Sequence, residues 1–520
     1  MVIRKISYYR VIVSLCLFMF LLSPVFGDEI SAVSFDKELP ENNIVTIQPD
    51  SLRILHNPLT GWVLYASMGV DAADFWAQYD HMYIPELGHN VSVTDYAHTL
   101  YIRASWTDFN PQEDVYGWKI DSNLRAYIEG AYQRNMRLAF RVVVDSRDKR
   151  TEFTPQFVKD AGAKGFMNKG KWSPYSDDSV FQKYYTKFVK ALAKDFNDPS
   201  KVEFIDGFGL GKWGEYHTMI YSTGDDTPKK AVFDWVTDIY SQAFDKVPVV
   251  INYHRWIGAG KDWVDDEHFA ADSEEMLEEA IKKGYSLRHD AFGMTTYYGS
   301  WERRFAEKYR NICPIIMEGG WIVKSHNYWQ DPRGYRKDSH EDVRRGEFDD
   351  SKEAHVNMMD FRFGDTESWF KDAFDLVRRF LREGGYRLYP SEISLPLEVS
   401  KKTTPTIKHC WNNMGWGYCP TNIPQWNQKY KVAFALLDSE TNEVRYTFVD
   451  TNTDLSKWIK GSPAEYVFEP DMSKVETGTY VWAVGLVDRS NKDLIGLDIA
   501  AKGDILDSGW LKLSKVSIKK

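Results

Sequence analysis

The chain has 520 residues, 15% of them aromatic, and a formal net charge of -10 at pH 7. An acidic, aromatic-rich chain makes no nucleic-acid partner, because phosphate binding needs clustered Lys and Arg. The length suggests two domains, and four cysteines are too few for a disulfide-built scaffold or a multi-cysteine zinc module.

Residues 1–27 read as a secretory signal peptide. Arg4, Lys5 and Arg10 form a basic start, Val11 to Leu22 an apolar run, and Val25-Phe26-Gly27 a small-residue cleavage site. A membrane anchor is the alternative, but the apolar run is short and Ser23-Pro24 follows it. Cleavage removes three positive charges, taking the net charge from -10 to -13. No later segment is long and apolar enough to span a bilayer. Cys16 lies inside the apolar run, a poor lipidation position, so a periplasmic or secreted protein is expected. In that oxidising setting Cys410 and Cys419 are a disulfide candidate, while Cys313 reads as a buried small hydrophobe.

Residues 28–50 are polar and aperiodic, a lead-in segment. From residue 51 to about 390, β-rich runs alternate with helical stretches. The expected strands are 61–65, 98–103, 137–144, 202–208, 248–252, 289–295, 314–317 and 355–361. Between them, 123–135, 180–196, 230–244, 273–283 and 368–383 carry apolar residues at helical spacing. Eight strands with intervening helices predict a (β/α)8 TIM barrel. Gly384-Gly385, Pro390 and Pro396 mark a boundary, after which 429–437, 444–448, 464–468 and 478–486 read as alternating strands. Residues 391–520 are therefore expected to form an all-β sandwich.

A barrel places its chemistry at the carboxyl ends of its strands. Two glutamates meet that condition: Glu215, closing the fourth strand region, and Glu318, directly after the seventh strand. Strands four and seven face each other across a barrel mouth. Two carboxyls there suit glycosidic bond cleavage, one protonating the leaving oxygen and one ionised as nucleophile or base. The stretch 207–217, GFGLGKWGEYH, has the glycines of a phosphate loop. A P-loop needs Ser or Thr after its lysine, however, and Lys212 is followed by Trp213.

The order of these motifs resembles clan A glycoside hydrolases. Tyr101-Ile-Arg-Ala-Ser-Trp106 with 110–118 is similar to that clan's second strand and following loop, Trp213-Gly214-Glu215 to its acid/base, and Pro314-Ile-Ile-Met-Glu318 to its nucleophile strand. Most of 51–520 also resembles a group of secreted bacterial barrel proteins with a WGE-x-H motif and a C-terminal sandwich, known as a domain of unknown function; Trp411-Asn-Asn-Met-Gly415 matches the opening of that sandwich. The resemblance implies a retaining hydrolase with Glu215 as acid/base and Glu318 as nucleophile, Arg103 hydrogen-bonded to Glu318, and no metal or organic cofactor. One departure is Gly214, where the clan places an asparagine that contacts the substrate 2-hydroxyl.

Several further residues carry two readings each. Arg141 and Asp145 are pocket candidates or a buried structural pair. His217 and His254 either touch a sugar or are satisfied structurally. Of Tyr297 and Tyr298 at the end of strand six, Tyr298 is the expected neighbour of the nucleophile. Trp106, Trp213, Trp256, Trp301, Trp321 and Trp329 follow predicted strands and either form sugar subsites or pack loops. The expected partner is a carbohydrate substrate. The rival is a non-catalytic glycan-binding protein on a degenerate barrel, for which Gly214 speaks.

Overall fold

The computed structural model describes residues 42–66, 68–147, 151–260, 267–294, 297–320, 340–362 and 364–520. The expected signal peptide, the lead-in up to residue 41, Trp321 and Trp329 lie outside the described residues.

Eight parallel strands close into a barrel. In chain order they are Gly61–Tyr65, Ala97–Ser105, Arg137–Val143, Val202–Asp206, Val249–Asn252, Tyr285–Phe292, Ile315–Gly319 and Met358–Asp360. The last pairs with the first, Met358 opposite Gly61, which closes the ring. The strands are near-continuous buried runs because each is covered on both faces. Outward residues such as Trp62, Leu100, Phe140, Ile251 and Met317 pack under the helices. Helix Ser179–Phe196 is typical: Asp178 caps it by accepting from Phe181 N–H, and Phe181, Tyr185, Phe188 and Leu192 form its buried stripe.

Beyond the barrel lie two larger sheets, antiparallel except where Glu398–Ser400 runs parallel to Leu511–Lys519. One orders Asn42–Thr46, Leu388–Pro396, Ile407–Asn413 and Ala464–Phe468. The other orders Glu398–Ser400, Leu511–Lys519, Gly478–Asp488, Tyr430–Asp438 and Val444–Asp450, with Leu494–Leu497 beside Gly478–Asp488. Their inner faces share one core that includes Ile393, Trp411, Phe434 and Trp482. The architecture is thus a TIM barrel with a C-terminal β-sandwich.

Three local expectations change. The lead-in supplies an edge strand, since Asn42–Thr46 pairs with Leu388–Pro396. The prolines read as a boundary lie inside that partner strand: Pro390 adjoins a register shift, and Pro396 is its last residue, places where a missing N–H costs no ladder bond. The stretch 368–383 is two helices, Thr366–Asp372 and Phe374–Glu383, broken where Ala373 adopts φ -145.

The sandwich seats on the barrel floor. Tyr386 donates to Pro58 O at 2.6 Å and Asn357 Nδ2 to Tyr418 O at 2.8 Å, both beside strand starts. Arg387 donates to the carbonyls of Asp50, Arg53 and Leu381, tying chain start, last barrel helix and sandwich together. The opposite end, where strands finish, is the mouth.

Candidate active site

One rule builds the barrel interior. Inward positions recur every second residue along a strand. At the lower position stand Val63, Ala139, Phe204, Val250, Ile316 and Met358; two residues later on the same strands come Tyr65, Arg141, Asp206, Asn252, Glu318 and Asp360. The second strand follows with Tyr101 and Arg103, the sixth with Ser286, Arg288 and Asp290. An apolar floor therefore gives way to an ionic layer just below the mouth.

Arg141 and Arg288 organise that layer, both fully buried. Arg141 Nε donates to Asp206 at 2.6 Å, and its two terminal nitrogens grip Asp290 at 2.9 and 3.1 Å. Arg288 Nη2 donates to Glu318 at 2.6 Å and to Asp360 at 3.0 Å. Three guanidiniums, with Arg103, face five carboxyls: Asp206, Glu215, Asp290, Glu318 and Asp360. Full ionisation would leave two uncompensated negative charges in a low-dielectric interior, a costly state. Two carboxyls respond. Burial, with repulsion from Asp290, pushes Glu318 up to about 8 against the pull of Arg288. Burial likewise raises Asp360. Asp290 is held well below the usual range, because Arg141 and Arg288 outweigh its own burial.

Glu215 reaches this layer from a strained turn. The fourth strand continues irregularly past Asp206, with Gly207 N–H donating to Val250 O and Gly209 O accepting from Val144. Trp213 (φ 59), Gly214 (φ 75) and Tyr216 (φ 61) then adopt left-handed backbone around Glu215. Such conformations in bulky residues cost about 1 kcal/mol or more each and concentrate at functional sites. A Cβ at Gly214 would lie 3.3 Å from Val143 Cγ2, so the turn accommodates little beyond glycine there. Glu215 Oε1 stands 3.7 Å from Arg103 and 3.6 Å from Arg141, and Oε2 stands 3.2 Å from His217 Nε2. His254 Nε2 lies 2.8 Å from Glu215 O and its Nδ1 accepts from Trp256 N–H, which assigns the ring proton to Nε2 and pins the turn.

The other expected residues divide. Arg141, His217 and His254 join the site, and Trp213 lies half-buried beside His217, ring centroids 5.6 Å apart. Arg103 is present with different partners: it donates to Trp213 O at 2.7 Å and Tyr65 OH at 3.3 Å, while Arg288 makes the hydrogen bond to Glu318. Asp145 does not pair with Arg141. It closes on Arg147 in a local turn, accepting from its backbone and guanidinium. Trp106 is fully buried between the second strand and helix Ser179–Phe196, ring to ring with Tyr185 at 5.1 Å, so it is core. Trp301 likewise stacks on Phe305 inside its helix layer. Tyr298 donates no contact to Glu318; it is buried against Phe292 and accepts from Tyr253, because the sixth strand starts and ends earlier than expected. Cys410 and Cys419 are both free thiols. Strand alternation turns Cys410 outward between the inward His409 and Trp411, whereas Cys419, on the loop beyond that strand, is buried in the core.

Sequence reading missed Asp206, Arg288, Asp290 and Asp360. For Asp206 and Asp360 the signal is a charged residue two places after an apolar one inside a buried strand, and for Arg288 and Asp290 it is charges at alternate positions of one; a charge stands there only if paired.

No protein-family model matches the chain, and no curated protein is significantly similar to it. Among solved structures it is similar to the endo-beta-1,4-mannanase from Thermotoga petrophila (13% identity, TM-score 0.38, covering 89% of this chain and 99% of that one). It is also similar to endo-glycoceramidase II from Rhodococcus sp. (13%, TM-score 0.36, 82% and 99%) and to a GH30 endoxylanase from Clostridium papyrosolvens C71 (10%, TM-score 0.37, 82% and 97%). At such identities and scores these likenesses do not extend to activity.

Proposed function

We propose that the protein is a secreted or periplasmic glycoside hydrolase acting on a poly- or oligosaccharide, with Glu215 and Glu318 as its working carboxyls. The observation that carries this reading is their placement at one barrel mouth in unlike settings. Glu318 is deeply buried on Arg288, and Glu215 is partly open beside Arg103, Arg141 and His217. Environments that separate two carboxyls are what acid and nucleophile roles require.

In the retaining route Glu215 gives its proton to the departing oxygen while Glu318 attacks the anomeric carbon. The C–O electron pair leaves with the alcohol. Glu215, now ionised, takes a proton from water, whose oxygen displaces Glu318 from the sugar. One observation favours a second reading with the roles exchanged, since Glu318 is the carboxyl pushed up to about 8 and so holds a proton in the free protein at neutral pH.

A fluorinated glycosyl donor separates the two. It traps the nucleophile, so peptide mapping should find the sugar on Glu318 in the first reading and on Glu215 in the second. Azide should give a glycosyl azide of retained configuration with the acid/base variant, Glu215→Ala in the first reading, and one of inverted configuration with the nucleophile variant. A broad glycan and aryl-glycoside panel on which the wild-type protein binds but never hydrolyses would establish the binding protein instead. Export rests on the basic and apolar start of the chain, and N-terminal sequencing of the exported protein should begin at Asp28.

A further inference from the structure

Both buried arginines of the ionic layer meet at one oxygen. Asp206, on the fourth strand and 1% exposed, stands directly opposite Arg141 in the strand pairing. Its Oδ2 accepts from Tyr101 OH at 2.7 Å and from Arg141 Nε at 2.6 Å. Arg288 Nε stands 3.4 Å from the same atom, an ionic contact. Two arms leave that oxygen. Along one, the terminal nitrogens of Arg141 hold Asp290, and Nη1 stands 3.6 Å from Glu215 Oε1. Along the other, Arg288 Nη2 donates to Glu318 at 2.6 Å and to Asp360 at 3.0 Å. Tyr101, fully buried, serves both arms. Its hydroxyl holds Asp206, and its ring centroid lies 4.5 Å from the Arg288 guanidinium and 6.0 Å from that of Arg141.

We propose that Asp206, held by Tyr101, is a positioning residue that sets Glu215 and Glu318 relative to each other by seating Arg141 and Arg288 on one oxygen. This rests on the proposed hydrolase and applies to either assignment of its two roles. A guanidinium is a rigid planar fork, so fixing its Nε edge fixes the direction of its terminal nitrogens. Asp206 takes the Nε edge of Arg141, and the far edge then falls on Asp290 and beside Glu215. The same oxygen faces the Nε edge of Arg288, whose far edge meets Glu318. An acidic oxygen between two cations also offsets their repulsion, which would otherwise drive the two arms apart. A carboxyl pair works only at a defined separation, so a shift of either arm is felt in the chemistry. Asp206 lies beneath the layer and acts through the arginines alone.

The test uses the full chain with Asp206→Asn and Tyr101→Phe, assayed on a panel of para-nitrophenyl glycosides. Asp206→Asn keeps the side-chain shape and removes the acidic oxygen that the two arginines share. Its kcat should fall about 100-fold, the loss a displacement near 1 Å brings, while KM stays within about twofold of wild type. Tyr101→Phe changes no charge and leaves the ring beside Arg288. It removes one hydrogen bond from Asp206 and should lower kcat about 10-fold, again at steady KM. A folded Asp206→Asn protein that keeps its kcat, or whose loss lies in KM alone, overturns the proposal and leaves Asp206 a structural ion-pair partner. Should Asp206→Asn fail to fold, Tyr101→Phe decides by the same two criteria. If the wild type cleaves no glycoside of the panel, the hydrolase reading fails. The placement claim is then decided by crystal structures of the wild type and of the variant that folds. The Arg141 and Arg288 guanidiniums and the Glu318 carboxyl should move by about 1 Å between them. If the three groups superpose, the claim is wrong.

Discussion

Arg288 places Nη2 2.6 Å from Glu318 Oε2 with both side chains shut away from solvent. It is the strongest force favouring the ionised form of Glu318, since burial and Asp290 both act against ionisation. Arg288→Lys keeps a charge but loses the fork that also reaches Asp360. Glu318 should then ionise only at higher pH, moving the acid limb of the pH–rate profile upward. Arg288→Met leaves buried carboxyls unpaired and should cost about 3–5 kcal/mol of stability, read in a urea titration.

Glu318→Gln tests the cost of that burial. Glu318 is raised in the folded protein from 4.5 to about 8, so between those values the folded state binds more protons than the unfolded one. Stability from this group is full at acidic pH and is lost as pH rises through about 8. Glutamine carries no such titration. The variant should match the wild type near pH 4.5, then grow relatively more stable toward alkaline pH by a few kcal/mol at most. Urea midpoints measured across that range check the slope. The same variant should have no hydrolytic turnover, a trade of stability against function.

The eight barrel strands were legible because a buried parallel strand writes itself as a short apolar run between turn signals. Glu318 was legible for the same reason, standing directly after such a run. Arg288 and Asp290 were not, because the sixth strand interrupts its apolar character with Arg288-His289-Asp290, and a strand read through apolarity alone starts too late. That shift also misdirected Tyr298. The sandwich strands Leu388–Pro396, Ile407–Asn413 and Leu511–Lys519 escaped because prolines, lysines and other polar residues within them break the apolar alternation. Trp106 shows the remaining limit: a tryptophan after a strand end turns toward helix or mouth according to tertiary packing, which spacing does not record.

Trp106→Ala separates core from subsite. The indole is fully buried among Phe181, Tyr185 and Phe188, so truncation should cost about 3–5 kcal/mol. At a temperature where the variant stays folded, KM on any cleaved glycoside should remain within about twofold of wild type, less than one lost hydrophobic contact is worth. Thermal melts and steady-state kinetics on one preparation give both numbers. A large rise in KM with an unchanged melt would return Trp106 to the sugar site.

Gly209 governs whether Glu215 arrives where it does. It has φ +70, and a Cβ there would sit 1.9 Å from Val142 O and 2.9 Å from Tyr185 Oη. The first of these is backbone of the third strand and cannot rotate away. Gly209→Ala must therefore part the extended fourth strand from the third, breaking the bond from Val144 N–H to Gly209 O and carrying the turn at 213–216 with it. The expected loss is more than about 2 kcal/mol, together with most activity. Gly224→Ala is the matched control, because φ is +79 but no atom lies within 4 Å of the added carbon. It should pay only the backbone term, about 1 kcal/mol, and keep its turnover. Should both alanines lower the melting temperature equally, steric closeness at Gly209 is relieved by movement and the turn is not the rigid mount for Glu215 that its hydrogen bonds indicate.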